Sequence, residues 1–295
     1  MIRIKVFSRS FDLRLYSLSK HLCESLGWEC VRLTDQTADG YFYKMLDDTD
    51  CDVAVNVDED CFLTNPISVK QLVDYVVENS YANAGCSDAG IGCPRSGNPI
   101  VTNPFFNVLN LQLIRQYYSP QKLREFDYQK YMIENVNAYR LVDYFGGQIQ
   151  DNQFYNISRE PYYPFFLWLG THLKTLYLRS EKHADGVTTI LYNPMGEPIC
   201  MHTWFARFYT TPTFIVKHFQ RNYGVKQKQR IDKIIDEAYA LRQLPRPQFS
   251  TTDNCRFFFD RLLRWSIKVP QRIMGWPHKL KRHFFSSGNG GNTLQ

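Results

Sequence analysis

The first eighty residues alternate between strand-like and helix-like patterns, and this alternation constrains the fold more than any other feature. Apolar and basic residues alternate from Ile2 to Phe7, and apolar residues at helical spacing run from Leu13 to Leu26 and stop at Gly27. The same succession then repeats, with strand-like runs at 28–33 and 52–57 and helical runs at 41–46 and 67–79. Short connections between such runs are typical of a doubly wound sheet with helices on both faces. The sequence therefore predicts an α/β fold with a Rossmann-like sheet flanked by helices.

The pattern beyond residue 80 is less regular. The stretch from Tyr81 to Pro104 is rich in Gly, Asn, Pro and Ser, so we expect mostly loop there. Further on, we expect strands at 105–111, 188–192 and 198–203, and helices at 112–118, 120–140, 161–178 and 226–243. We expect a catalytic-sized domain over 1–215, a helical basic segment over 216–285 and a disordered tail over 286–295.

The net charge of +6 is concentrated near the C-terminus. The segment from Arg256 to His283 contains eight Lys or Arg residues and a single acid, Asp260, so its net charge is +7. Large apolar residues interleave with these cations, a pattern that favours short amphipathic helices at an anionic membrane surface over 255–285. Two alternatives stay open: the aromatic residues pack back on the rest of the chain, or the cations bind nucleic acid, for which no recognition motif is present.

Cysteine usage and hydropathy bear on the compartment. The eight cysteines include no C-x-x-C pair, and we interpret them as reduced, mostly buried thiols rather than as a zinc site or a disulfide framework. The N-terminal sequence has no apolar core typical of a secretory signal, and no run of eighteen apolar residues occurs. We expect a cytoplasmic protein at the inner face of the cell membrane.

The strongest chemical signal is an acidic triplet at the end of an apolar strand. Asp58, Glu59 and Asp60 directly follow the run Val53–Val57, and open α/β sheets place their ligands at the carboxyl ends of strands. In an extended segment the side chains of Asp58 and Asp60 point the same way, so both can reach one Mg²⁺ or Mn²⁺ ion. The alternative is that the two carboxylates cap the turn or helix that follows.

This segment resembles the metal-binding strand of the GT-A glycosyltransferases, especially of bacterial enzymes that build surface polysaccharides. Their D-x-x-V-x-x-D-x-D pattern matches the run from Asp52 to Asp60. The resemblance covers about residues 1–215. It implies that Asp60 contacts the metal, while Asp58 meets it through water or meets the ribose. The implied donor is a nucleoside-diphosphate sugar, with UDP favoured, and the implied acceptor is a glycan or a lipid-linked glycan.

Two later segments extend the resemblance. The strand that carries Asn103 and Asn107 is similar to the one whose polar side chains face the donor sugar, as is the loop 87–92 before it. The run from His202 to Arg207 is similar to the late loop whose histidine completes the metal shell. An imidazole ligand favours Mn²⁺ over Mg²⁺, and Arg207 then contacts the diphosphate. Otherwise His202 is a core histidine beside Trp204, and Arg207 forms a surface ion pair.

The nucleoside and the catalytic base can be placed by position alone. We expect the base and ribose to bind near the end of the first strand, at Phe7, Ser8 and Arg9. We expect Tyr41 to stack on the base. An inverting transferase also needs a carboxylate base near the acceptor hydroxyl. The candidates lie in loops or at element edges, where each also suits a cap or a turn, namely Asp151, Glu160 and Asp185. Glu160 precedes an aromatic stretch, 161–168, whose rings could stack on an acceptor sugar.

Two other function classes remain open. A sugar-phosphate nucleotidyltransferase needs a Gly-rich basic loop after the first strand to hold a triphosphate, whereas the run Ser8–Asp12 contains no glycine. A non-catalytic scaffold at a membrane surface would keep the fold without binding metal or nucleotide. The sequence does not distinguish inversion from retention.

Overall fold

The computed structural model describes residues 2–34, 37, 39–88, 98, 100–127, 160–210, 223–264 and 266. In chain order its elements are β1 (Ile4–Arg9), α1 (Leu13–Cys23), β2 (Glu29–Leu33), α2 (Gly40–Asp47), β3 (Val53–Val57), β4 (Cys61–Leu63), α3 (Pro66–Glu78), β5 (Asn83–Ser87), β6 (Thr102–Asn110), α4 (Leu111–Tyr117), α5 (Pro120–Glu125), α6 (Tyr163–His172), β7 (Thr175–Leu178), β8 (Ser180–Lys182), β9 (Thr189–Tyr192), β10 (Pro198–His202), α7 (Ala206–Thr210), α8 (Tyr223–Leu241) and α9 (251–264).

Six strands form the main sheet in the order β2-β1-β3-β6-β5-β7. Strands β2, β1 and β3 are parallel to one another, while β6 runs antiparallel to both of its neighbours, β3 and β5. The central strand β3 is buried along its whole length, as expected for a strand covered on both faces. The predicted α/β fold with a Rossmann-like sheet flanked by helices is confirmed, and the structure shows that the sheet is mixed.

Two hydrophobic cores lie on opposite faces of this sheet. Alternate residues of β3 belong to different cores: Val53, Val55 and Val57 pack on one side, and Ala54 on the other. Helices α1, α3 and α8 contribute apolar residues to the first core, and α2, α4 and α6 contribute to the second. The ends of α1 follow local chemistry, since Asp12 caps its N-terminus and Gly27, in the left-handed conformation, follows the short 3₁₀ turn after it.

A second, smaller sheet has the order β4-β10-β9-β8 and is antiparallel throughout. Its first strand, β4, begins only a few residues after β3 ends. The chain therefore crosses from the main sheet to the smaller one through residues 58–60, which are the acidic triplet. This crossing positions the candidate site.

The stretch from Tyr81 to Pro104, where we expected mostly loop, also contains β5 and the start of β6, which the sequence did not predict. Strand β5 consists of small and polar residues with little intrinsic preference for a strand. Buried hydrogen bonds stabilise it instead, including one from Asn83 Nδ2 to Thr102 Oγ1 (2.9 Å). Gly85 makes room for this network, because a Cβ there would lie 2.4 Å from the Asn107 side-chain nitrogen. Tertiary packing therefore overrides local propensity in this strand.

The aromatic helix expected over 161–178 is shorter in the structure. Helix α6 ends at His172, and Thr175–Leu178 instead form β7, which pairs in parallel with β5. The helix expected from residue 120 ends at Glu125 in the structure, because Phe126 is extended. Residues 128–140 of that expected helix lie outside the described residues, as does the tail 286–295. The division of the chain after residue 215 stays a prediction.

The thiols agree with the expectation of reduced, mostly buried cysteines. The seven cysteines that the structure describes are free, and five of them are buried. No helix within the described ranges is long and apolar enough to cross a bilayer.

Helix α9 is attached to the loop that follows β1 and to β2 by two ion pairs. Asp260 accepts two hydrogen bonds from the Arg32 guanidinium, both of 2.9 Å, and Arg261 donates to Asp12 at 2.8 Å. Arg32 also donates to Ser10 Oγ (2.9 Å). Because Arg32 and Asp260 are mostly shielded from water, losing one partner leaves a charge poorly solvated.

We therefore predict that Arg32→Met destabilises the docking of α9. The free energy of unfolding should fall by about 3 kcal/mol, because Asp260 is left without its bidentate partner, and protease cleavage near residues 245–250 should accelerate. Denaturant unfolding and limited proteolysis measure both effects. The matched control is Lys20→Met, which removes a far more exposed ion pair with Glu24 and should cost less than about 1 kcal/mol. Equal effects of the two substitutions would contradict a buried, structural role for Arg32.

Candidate metal centre

Three side chains predicted as metal ligands lie together in the structure. One ligand atom from each of Asp58, Asp60 and His202 falls within 4.8 Å of the others. Asp60 and His202 are buried, and Asp58 is half-buried. The cluster lies where the main sheet passes into the smaller one, at the carboxyl end of β3.

A tight turn, rather than an extended segment, brings the two aspartates together. Cys61 N donates to Asp58 O (3.0 Å), which closes a turn over residues 58–61, and Asp58 N donates to Phe105 O (2.8 Å). The expectation that residues i and i+2 converge in an extended strand gave the correct pair for a different reason. In the turn, the carboxylate between them, Glu59, points elsewhere.

Strand pairing places His202 beside Asp60. Strand β10 runs antiparallel to β4 with His202 opposite Cys61, and Thr203 N donates to Asp60 O (3.0 Å). The His202 imidazole stacks on Phe105, with ring centroids 4.4 Å apart and planes 10° from parallel. Its Nε2 lies 3.1 Å from Asp60 Oδ1. The histidine is therefore both a packed aromatic residue and a potential ligand, and the two roles do not exclude each other.

Asp60 is held in its ionised form. Burial by itself favours the neutral carboxyl, but the adjacent His202 and the hydrogen bonds from the backbone and from Thr203 outweigh it, so the pKa of Asp60 lies below its ordinary value. A metal ligand must be deprotonated to bind. Asp60 thus has the charge state that cation binding requires.

Glu59 ties the acidic turn to the loop after β1. One of its carboxylate oxygens accepts hydrogen bonds from the backbone nitrogens of Phe11 and Asp12, each of 2.8 Å. Burial raises the pKa of Glu59 to about 8, and the nearby carboxylates of Asp12 and Asp58 act in the same direction. Glu59 therefore anchors the acidic turn to the loop that follows β1.

Arg9 provides positive charge near the acidic turn. Burial alone would lower the pKa of Arg9, but the neighbouring carboxylates, Asp58 foremost, raise it above its ordinary value. The Arg9 guanidinium lies 5.2 Å from the Phe11 ring centroid and 5.1 Å from that of Tyr41. Tyr41 is itself buried, so its ring is covered by protein in this structure.

The segment after His202 has an unusual backbone that a single arginine clamps. Trp204 and Phe205 both adopt positive φ values, 58° and 60°, which aromatic residues rarely do without support. Arg230 of α8 donates to the carbonyls of Thr203 and Trp204, and the Trp204 indole donates to Thr189 Oγ1 (2.9 Å). The clamp holds the Trp204 ring against His202, with centroids 4.4 Å apart.

Of the candidate bases, Asp185 has a clear structural role. It accepts hydrogen bonds from Thr188, Val187 and Arg230. Burial would raise its pKa, but these bonds hold the pKa of Asp185 well below its ordinary value, which makes it a weak base. Glu160 lies half-buried just before α6, and Asp151 lies outside the described residues.

The predicted donor residues occupy varied environments. Phe7 belongs to the second core, and Ser8 is buried. Asn103 donates to Asp88, and Asn107 donates to Thr102 within the buried network beside β5. Arg207 is exposed on α7 and packs over Phe208, with its guanidinium carbon 5.4 Å from the ring centroid. The charge of Arg9, also in this group, interacts with the acidic turn.

The aromatic stretch expected to stack on an acceptor is mostly core. The rings of Tyr162, Tyr163, Phe165, Phe166 and Trp168 are buried. Trp168 also lines a groove of about 660 Å³ together with residues of α4, α5 and α6 and of the stretch after α5, and none of the three potential ligands lines it. The groove is therefore separate from the metal cluster.

Sequence reasoning missed the supporting roles of three residues near the site. They are Glu59, Arg230 and Asn56, the last of which lies one alternation before Asp58 on β3 and donates to Pro104 O (2.6 Å). Asn56 could have been found from the two-residue period of the strand, since a polar side chain in an apolar run is unusual. The sequence shows Glu59 only as the middle residue of the acidic triplet, and nothing local predicts its supporting role or that of Arg230, because their partners lie far away in the chain.

The donor set fits a divalent cation. Two carboxylate oxygens and one imidazole nitrogen suit Mn²⁺ or Mg²⁺, and bonds of about 2.1 Å place neighbouring ligand atoms about 3–4 Å apart. The observed spread of up to 4.8 Å requires only a small contraction of the side chains. The cluster can therefore hold a metal ion.

We predict that Mn²⁺ raises the melting temperature and that Asp60→Asn removes this effect. A cation at a hundred times its dissociation constant adds about 2.7 kcal/mol to the free energy of unfolding. Thermal unfolding with and without Mn²⁺ measures the gain. Asp50→Asn is the matched control, because Asp50 is exposed and paired only at the surface. If Asp60→Asn keeps the full gain, the cation binds elsewhere.

A second prediction concerns the anchor beneath the turn. Glu59→Ala leaves two backbone N–H groups without an acceptor and should lower the free energy of unfolding by about 1–3 kcal/mol. Glu59→Gln keeps an oxygen for both donors and has no charge to bury, so it should cost much less. Urea unfolding in metal-free buffer compares them. Equal losses would show that the two hydrogen bonds contribute little.

Comparisons with known proteins give limited similarity. No family model and no curated protein matches the sequence. Among solved structures, A197 from STIV is similar with 12% identity, a TM-score of 0.31 and coverage of 67% of this chain and 93% of that one. A glycosyltransferase involved in the glycosylation of the major capsid of PBCV-1 is similar with 12% identity, a TM-score of 0.28 and coverage of 45% of this chain and 75% of that one. Overlaps this low carry no functional information of their own.

Proposed function

We propose that this protein is a metal-dependent glycosyltransferase that moves a sugar from a nucleoside-diphosphate sugar, with UDP favoured, to a glycan or lipid-linked acceptor. The observation that carries the proposal is the convergence of Asp58, Asp60 and His202 within 4.8 Å at the carboxyl end of β3. The order of these residues in the chain and the strand that precedes them resemble the GT-A enzymes. The mixed α/β sheet agrees with that class.

The residues around the cluster suit a nucleoside diphosphate. Asp58, Asp60 and His202 would hold Mn²⁺ or Mg²⁺, which when bound neutralises charge on the leaving diphosphate. Arg9 keeps a positive charge near the turn at the end of β1, where the nucleotide enters such sheets. Asp58, beside Arg9, supplies the contact to the ribose or to the metal.

A nucleotidyltransferase is the weaker alternative. The loop after β1 would have to wrap around a triphosphate, yet its backbone N–H groups at Phe11 and Asp12 already donate to Glu59. Those groups are thus unavailable for phosphate binding unless Glu59 moves.

The test measures nucleotide binding and sugar-nucleotide turnover in the full chain. We expect UDP to raise the melting temperature only when Mn²⁺ is present, and we expect UDP release from one of a panel of UDP-sugars. Asp60→Asn should lower that release about a hundredfold or more, while Asp50→Asn should leave it unchanged. If Mn²⁺ stabilises the protein but no nucleoside diphosphate does, the result supports the metal site and contradicts the glycosyltransferase proposal. Release of pyrophosphate from UTP and a sugar phosphate would favour the alternative.

A further inference from the structure

Helix α9 turns three charged residues toward the protein and four large apolar residues toward water. On its inner side Phe257 is buried, and Asp260, Arg261 and Arg264 are partly buried. Its outer face consists of Phe258, Phe259, Leu262 and Leu263, with exposed fractions of 57%, 65%, 49% and 52%. A helix on a globular protein normally has the opposite arrangement.

The contacts of the inner side fix the rotation of this helix. Asp260 is paired with Arg32 through two hydrogen bonds, and Arg261 is paired with Asp12. Phe257 packs edge-on against Phe249, with ring centroids 4.8 Å apart. Turning the helix to bury its outer face would break both ion pairs and leave Asp12 and Asp260 poorly solvated and unpaired by those cations. The outer face of α9 therefore stays outward.

Four adjacent large apolar side chains on one exposed helix face mark an interaction surface. They account for four of the nine large apolar residues that are exposed within the described part of the chain. The other five lie before β1, on α3, α4 and α8, and in a turn, so they form no comparable group. The surface is specific to α9.

Charge identifies the partner. Arg256 is exposed on the same helix, and the chain beyond it, from residue 265 to 295, has five Lys or Arg residues and no acid. A second copy of the protein would bring the same positive charge against this face, which opposes association. An anionic lipid surface attracts these cations and accepts the apolar side chains at its headgroup boundary.

We propose that the outer face of α9 lies on an anionic lipid bilayer. The inference does not depend on the reaction assigned above. It identifies which side of the molecule meets the membrane, since the inner side of α9 holds the loop after β1. That same loop holds Glu59 through the backbone of Phe11 and Asp12, so the bilayer lies near the acidic turn. A transferase that uses a lipid-linked acceptor would gain a short path to it.

The test compares two double variants of the full chain by cosedimentation with vesicles. Phe258→Ser with Leu262→Ser removes apolar area from the outer face, and Ile67→Ser with Leu241→Ser removes similar exposed area from α3 and α8. All four residues are largely exposed, so we expect unchanged melting temperatures. Vesicles contain phosphatidylcholine alone or mixed with phosphatidylglycerol, and light scattering reports the oligomeric state.

We expect the wild type and the control variant to bind the phosphatidylglycerol vesicles equally and salt to weaken the binding. The outer-face variant should bind at least about tenfold more weakly. Binding by that variant at the control level overturns the proposal, as does equal or absent binding of the wild type to both kinds of vesicle. If the wild type is a dimer and only the outer-face substitutions make it a monomer, the surface binds a second copy of the chain instead.

Discussion

The backbone pairing between β4 and β10 is the interaction on which the candidate site depends. It brings His202 opposite Cys61, so residues separated by more than a hundred positions in sequence meet at one turn. The pairing continues past the strand, because Thr203 N bonds to the carbonyl of Asp60. Side-chain placement follows from this ladder: once the register is set, the imidazole has Phe105 on one side and Asp60 within hydrogen-bond distance.

The three adjacent carboxyl groups of the acidic turn destabilise the fold electrostatically, and several separate contacts offset this effect. Asp58, Glu59 and Asp60 are consecutive carboxylates in or near the protein interior, where mutual repulsion and poor solvation disfavour ionisation. Burial raises the pKa of Glu59, and two backbone N–H groups donate to its side chain. The pKa of Asp60 is instead lowered, mainly by the adjacent His202. A fold that retains such a turn gains most when a cation occupies it, which is why we connect the turn with binding rather than with capping alone.

The sequence predicted the class of fold and the three clustered side chains, but only part of their support. Alternating patterns identified the first three strands and the first three helices but not β4, and the acidic triplet after an apolar strand singled out Asp58 and Asp60. His202 was found only because its order along the chain resembles a known family. Strand β5 was missed because small polar residues carry no strand signal, and its stability comes from buried amide contacts made with distant residues. Arg230 was missed for the same reason, since its role depends on backbone carbonyls of a remote loop.

The position of the cluster between two sheets has a mechanical consequence. Asp58 directly follows β3 of the main sheet, Asp60 directly precedes β4 of the smaller sheet, and His202 is the last residue of β10. The covalent connection between the sheets at this point is only three residues long. An ion bound by all three side chains would cross-link the two sheets and resist their sliding over each other. Occupancy of the metal site would then reduce the motion of the two sheets relative to each other, although each sheet has its own hydrogen bonds.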